Sequence, residues 1–230
     1  MTKFVVYEDL LLAKVSEYDG LLKGQKCGSF WDIKGDVGLT RLKKHIKDFY
    51  IQSQDYTCVY CHQRIVVDHN AVWDTEHIVP KSTHPQFLFK PENLCVACKD
   101  CNGKKSNKNV LVNSNRQSFS FDKHDYLIVH PHFDTYDEHI RIVSDALMFL
   151  PRTDKGLYTI ETCGLLRFMY KFSNYANIPL EIKQRSLEIN QQLMQSNTPM
   201  EDHYLWSMLQ SMIDKGKVLA LQTEVTFNEA

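Results

Sequence analysis

Apolar residues recur along the chain at two different periods, and the changes between them outline its elements. Leu42, Ile46 and Phe49 fall four and three apart, the spacing of one helix face, and Thr40 stands where an N-cap would. Arg41, Lys43, Lys44 and Lys47 decorate the rest of that helix, and 52–56 breaks it. A shorter helix fits 10–15, and glycines at 20, 24, 28, 35 and 38 mark loops between the two. The β-branched run at 64–67 predicts a strand, and 70–73 leads into a second one carrying Glu76, His77 and Ile78, which Pro80 ends. Residues 81–92 read as a polar loop, 93–97 as the approach to a helix, and 98–105 as that helix. The predicted order is strand, strand, loop, helix.

Past residue 124 the texture changes. The stretches 126–130, 140–143 and 146–150 predict short strands. A helix over 159–175 would place Leu165, Leu166, Met169 and Phe172 on one face. A second over 179–195 carries Leu180, Ile182, Leu187, Ile189 and Leu193, and a third over 201–215 carries Tyr204, Leu205, Met208, Leu209 and Met212. The tail after 217 has room for one more short element. The expectation is an α+β fold: a helical lead-in at 1–54, a ββα block at 55–110, and a mostly helical region with short strands at 111–230.

Composition changes this picture little. The chain has 230 residues, 43% of them hydrophobic, enough for a sizeable core. The net charge of −1 does not point to a nucleic-acid partner, but 99–123 holds six basic residues against two acidic ones. Seven cysteines, an odd number with four in metal-type spacing, suit a reducing compartment better than a disulfide framework. No signal peptide and no membrane span are expected, and a cytoplasmic location follows.

Chemistry gathers in 58–105. Cys58, Cys61, Cys98 and Cys101 form two Cys-x2-Cys turns, the ligand set of a structural zinc with no open coordination position. Cys95 makes a competing pair with Cys98, and the later pair is preferred because Asn102 follows it directly. Between the turns lies Glu76-His77, with Pro80 close behind. A neutral imidazole takes a proton from water near neutral pH, and a carboxylate with an amide oxygen makes a hard seat for Mg²⁺ or Mn²⁺. A base on one side and a metal on the other is what phosphodiester hydrolysis requires.

The pattern Cys58-x2-Cys61, Glu76-His77-x2-Pro80, Asn93-Leu94-x3-Cys98-x2-Cys101-Asn102-x2-Lys105 resembles the zinc-knuckle type of the HNH nucleases, also called His-Me finger or ββα-metal nucleases. It covers 58–105, with every signature position filled. The resemblance implies a DNA endonuclease leaving 5′ phosphate and 3′ hydroxyl ends. His77 would be the general base, and Asn93 would brace the loop that orients it. Glu76 and Asn102 would hold one catalytic divalent cation. Lys105 would lie near the phosphates, and Lys104 and Lys108 would join it in salt-dependent contacts. Glu76 departs from the more frequent aspartate, and Asp74, on the same strand face by period two, is an alternative or additional ligand. His62 replaces a frequent glycine and reads as a surface residue, and His84 as a plain loop residue. His130, His132 and His139 read as structural or surface residues. A weaker, pattern-level likeness joins 130–139 to the extensions of HNH proteins in bacterial phage-defence loci, of the Septu and retron-linked kinds, and would imply an ATPase partner. Two alternatives remain at this point: a non-catalytic zinc module that binds nucleic acid or protein, and an RNA-directed nuclease.

Overall fold

Two helices, α1 (Asp9–Asp19) and α2 (Val37–Ser53), open the chain. The computed structural model describes residues 3–67, 69–143, 148–169 and 178–228. Asp36, not Thr40, caps α2: its side chain accepts a hydrogen bond from the Leu39 N–H at 2.8 Å. The earlier start makes Leu39, Leu42, Ile46 and Tyr50 the buried stripe and leaves Phe49 only partly covered.

The ββα unit is built from other residues than the apolar pattern suggests. Strand β1 (Trp73–His77) pairs antiparallel with β2 (Leu94–Cys98), in a register that sets Trp73 opposite Cys98 and His77 opposite Leu94. Helix α3 (Lys99–Lys105) follows at once and packs on both strands. The second strand is thus the stretch read as an approach to the helix. All five of its residues are buried, so it lacks the polar alternation that marks a half-exposed strand. The run 64–67 is no strand; only Arg64 pairs, with Thr57, closing the turn that holds Cys58 and Cys61. Val66 is 60% exposed, with no sheet to receive it. The run 126–130 is likewise not a strand. Tyr126 forms one bridge to Leu111, and the Leu127 N–H bonds to the Val110 carbonyl, too short a pairing for a ladder.

By packing, Met1–Thr135 with Thr162–Gly164 form one unit, and Tyr136–Glu161 with Leu165–Ala230 another. The first unit therefore takes in the lead-in, the ββα block and the stretch that follows it. Tyrosine hydroxyls join the lead-in to the long connection between β1 and β2. Tyr7 donates to the Phe89 carbonyl at 2.9 Å, Tyr18 to that of Pro85 at 2.8 Å, and Tyr50 to that of Pro91 at 2.6 Å. Helix α2 lies against β1 and β2 from the same side of the chain.

The second unit begins with a one-turn helix α4 (Tyr136–His139), then pairs β3 (Ile140–Val143) antiparallel with β4 (Met148–Pro151). Helix α5 (Asp154–Thr162) starts before the predicted helix at 159–175 and stops short of its end. Gly164 stops it, with a left-handed φ of 62° and the Lys104 side chain where a Cβ would sit; a 3-10 turn, Leu165–Met169, follows. The remainder of that predicted helix, Phe172 included, lies outside the described residues, as do 146 and 147 of the third predicted strand. Helices α6 (Ile178–Gln195) and α7 (Pro199–Asn228) pack together, and α7 also packs on β4. Ile182, Ile189, Leu205, Met208 and Met212 are buried as the helical pattern requires, while Leu187 is exposed. Arg141 ties β3 to both helices, with Nη1 3.2 Å from Gln192 Oε1 and Nε 3.4 Å from Glu201 Oε1. Among the described residues, no helix is long and apolar enough to cross a membrane.

Candidate functional site

The thiols of Cys58, Cys61, Cys98 and Cys101 are buried, and their sulfurs all lie within 4.8 Å of one another. Cys61 and Cys98 are 3.9 Å apart. A tetrahedral zinc with Zn–S bonds of about 2.3 Å sets its sulfurs roughly 3.8 Å apart, so the cluster is compatible with zinc. The chain brings the four together from two places, the turn after α2 and the β2–α3 junction. The Cys98 N–H reaches Cys58 Sγ at 3.3 Å, a donor that favours a thiolate. Hydrogen bonds from Cys101 pull the Cys58 and Cys98 thiols below their ordinary range, and those neighbours push Cys101 up in return. Four buried sulfurs this close together are a ligand set that a divalent cation would fit. Cys95 is buried elsewhere and is not one of the four. His62, just past the first turn, has a φ of 52°, the left-handed region where glycine is at ease, and its side chain faces solvent.

Beside this cluster runs a groove of about 1040 Å³. Asp74, Glu76, His77 and Asn102 all line it. The Asn102 side chain on α3 donates to Asp74 Oδ2 at 2.8 Å, which brings a carboxylate and a carboxamide together at the groove wall. Lys99 stands 3.8 Å from the other Asp74 oxygen. Glu76 is placed differently. It is 2% exposed, and its Oε1 takes both the Lys105 ammonium at 2.5 Å and the Tyr60 hydroxyl at 3.0 Å. Burial raises the Glu76 pKa, with Lys105 and Tyr60 acting against that rise.

Lys105 is wholly buried, and its Nζ also donates to the His77 carbonyl at 3.0 Å. This corrects the expectation of a phosphate contact: a lysine committed beneath the strand to Glu76 and His77 has no reach into solvent. Lys104 and Lys108 are exposed but do not line the groove, and Lys108 donates to the Thr162 carbonyl at 3.0 Å.

The His77 ring is buried, with Nε2 3.1 Å from the Leu88 carbonyl. A carbonyl only accepts, so Nε2 carries the hydrogen and Nδ1 keeps the lone pair. Burial lowers the His77 pKa to about 3, which keeps the ring neutral. Leu88 lies in the β1–β2 connection, and Asn93 shapes that connection. Fully buried, Asn93 accepts from the Val79 N–H at 2.8 Å and donates to the Val79 and Phe87 carbonyls at 3.1 and 3.2 Å. His84 bonds to Thr83 and stacks on Phe87. His130 stacks on Phe133, His132 bonds to the Leu94 carbonyl, and His139 to Thr153.

Several residues of the groove carry no signature in the sequence. Trp31 meets the His77 ring edge to face, with centroids 4.7 Å apart at 87°. It sits on a 3-10 turn, Gly28–Asp32, held against the loop after β1 by Lys81, whose Nζ is 2.5 Å from Asp32 and 3.4 Å from the Gly28 carbonyl. Gly28 permits this approach, because a Cβ there would stand 2.4 Å from the Lys81 carbonyl oxygen. Gly28→Ala is expected to push that turn and Trp31 away from His77 and to lower stability by about 1–3 kcal/mol through overpacking. Urea unfolding with tryptophan fluorescence checks it, and an unchanged midpoint and emission maximum would refute it. Lys43, Lys44 and Lys47 of α2 line the same groove. In the sequence they only decorate the helix, and nothing there placed them opposite β1.

No protein-family model matches the chain. It is similar to the Septu protein PtuB of Bacillus thuringiensis, 26% identical over 183 residues. The match takes in 70% of this chain and 66% of that protein, so it spans less than two thirds of the relative's length.

Proposed function

We propose that the chain is a metal-dependent endonuclease of the HNH type that hydrolyses phosphodiester bonds in DNA and serves as the nuclease effector of a bacterial anti-phage system. The observation that carries the activity is the convergence on one groove of a neutral His77 of fixed tautomer and the Asp74–Asn102 pair, beside a four-cysteine cluster of zinc geometry. The likeness to Septu protein PtuB supports the defence role. Together with the phage-defence resemblance of the extension, it favours a second chain, an ATPase, as partner.

His77 Nδ1 takes the proton of the attacking water, and the Leu88 carbonyl steadies the ring as charge develops on it. Lys105 and Asn93 act as positioning residues, the first on the His77 backbone and the second on the loop that presents Leu88. The oxygens of Asp74 and Asn102 suit Mg²⁺ or Mn²⁺, and a cation bound there would polarise the phosphate and stabilise the leaving 3′ oxygen. The arrangement favours Asp74 over Glu76 as the carboxylate of that seat, because Oε1 of Glu76 is already shared by Lys105 and Tyr60.

Asp74→Asn is therefore expected to raise the Mn²⁺ concentration needed for half-maximal cleavage by about tenfold or more, with little change in melting temperature. Glu76→Gln should instead unfold more easily, by about 3–5 kcal/mol, because Lys105 is left as an unmatched buried charge. Metal titrations of plasmid cleavage and thermal melts of both variants separate these roles. The assignment is inverted if Glu76→Gln alone shifts the metal requirement and melts like the wild type. Running the same titration on single-stranded DNA and on RNA tests the substrate class.

A further inference from the structure

We propose that the substrate's phosphodiester backbone is held from outside the ββα unit, by the lysine face of α2, with Lys47 as its central contact. This rests on the nuclease reading above and extends it to the residues that bind the strand. Lys47 lies four places after Lys43 and three after Lys44, which makes it a surface neighbour of both on α2, and all three line the groove with Asp74, His77 and Asn102.

Their partners separate them. Lys44 is paired with Asp48, which also accepts from Asn70 at 2.9 Å, and Lys81 is paired with Asp32. Lys43 donates to the Trp31 carbonyl at 3.0 Å and lies over the Trp31 ring, and it has no acidic partner among the described residues. Among the described residues, Lys47 has no hydrogen bond and no ion pair, although it is partly buried and within electrostatic reach of Asp74 and Lys99. The groove's acids are largely spoken for: Asp32 by Lys81, Asp48 by Lys44, and Glu76 by Lys105 beneath the strand. Asp74, which Asn102 and Lys99 approach, belongs to the proposed cation seat. A half-buried ammonium beside that seat is the geometry that receives a phosphate oxygen. The basic run at 99–123 contributes no basic side chain to the groove lining: Lys105 is buried, and Lys99 is engaged by Asp74 from outside it.

The test uses the full chain carrying His77→Ala, so that substrate survives, with labelled DNA and RNA oligonucleotides followed by fluorescence anisotropy from low to moderate salt in Mg²⁺. In that background Lys47→Gln should weaken binding about tenfold and lower the slope of log affinity against log salt by about 0.7–0.9, the loss of one phosphate contact. Lys47→Arg should retain most of the affinity, and Lys43→Gln should show a smaller loss in the same direction. Lys104→Gln should change affinity less than about twofold. DNA and RNA should respond alike, since the contact is to phosphate. Should Lys47→Gln fail to fold, Lys43→Gln and Lys47→Arg carry the comparison. Unchanged affinity and slope in the α2 variants, with a loss in Lys104→Gln, would overturn the α2 path and leave the nuclease reading standing. A parent protein that binds neither oligonucleotide would overturn both.

Discussion

His77→Ala and His77→Gln should both lose metal-dependent cleavage, by about 10²–10⁴-fold, the range that a positioned general base supplies. The two differ in what they keep. Alanine removes the ring, its bond to the Leu88 carbonyl and its contact with Trp31, so a modest loss of stability is expected with it. Glutamine can still donate to the Leu88 carbonyl from its side-chain amide, but it has no lone pair basic enough to take a proton from water. An inactive His77→Gln protein with near wild-type melting temperature and zinc content would therefore separate chemistry from folding. Cleavage of plasmid DNA at equal rates by wild type and both variants would sink the assignment of the base. Cleavage by none of them, with zinc bound, would mean either an effector held off until its partner joins or a zinc module without catalysis. Repeating the assay with the partner chain present distinguishes those two.

Stripping metal from the proposed zinc site at the four-cysteine cluster should be the largest structural perturbation. Binding at four-cysteine sites is worth about 10–16 kcal/mol near pH 7, as much as the whole stability of a typical domain. Cys98 sits at the joint of β2 and α3, so its loss disconnects the sheet from the helix that carries Asn102 and Lys105. Cys98→Ser, or treatment with a strong chelator, is expected to abolish the amide protection of β1, β2 and α3 in hydrogen exchange. Protection in α6 should remain, since that helix belongs to the other packing unit. Cys95→Ser should keep zinc at one ion per chain, because Cys95 lies outside the cluster. The tetrad is wrong if Cys98→Ser retains its zinc while Cys95→Ser loses it.

The parts of this architecture legible in the sequence were those whose chemistry needs a fixed spacing. Two Cys-x2-Cys turns met in one cluster, as the spacing of a shared metal site predicts. The α2 and C-terminal helices emerged from their period, and Gly164 set the limit of α5 where a face of apolar residues suggested continuation. Strand β2 was hidden because a short, wholly buried strand has no polar beat, and the solvent-facing run at 64–67 had the right residues with no partner. Within the site, His77, Asn93 and Asn102 stood in the sequence as a pattern. The burial of Lys105 did not, because a lysine seven places along a basic run reads as surface until the carboxylate across the strand is known. Trp31 and Lys47 were beyond reach for a plainer reason: their meaning depends on how the first fifty residues dock against β1.

The three tyrosine hydroxyls that reach into the β1–β2 connection bear on how portable this finger is. A fragment cut at 55–110 would carry every signature residue, yet the carbonyls of Pro85, Phe89 and Pro91 would lose donors that belong to the preceding helices and the segment before α1. Leu88, which sets the tautomer of His77, lies in the midst of those anchors. Transplanting the ββα block alone into another scaffold would thus separate His77 from the connection that holds its ring. The piece that keeps the His77 contact intact is the longer one that includes the tyrosines, and a change at Tyr7, Tyr18 or Tyr50 would be felt at His77 without touching it.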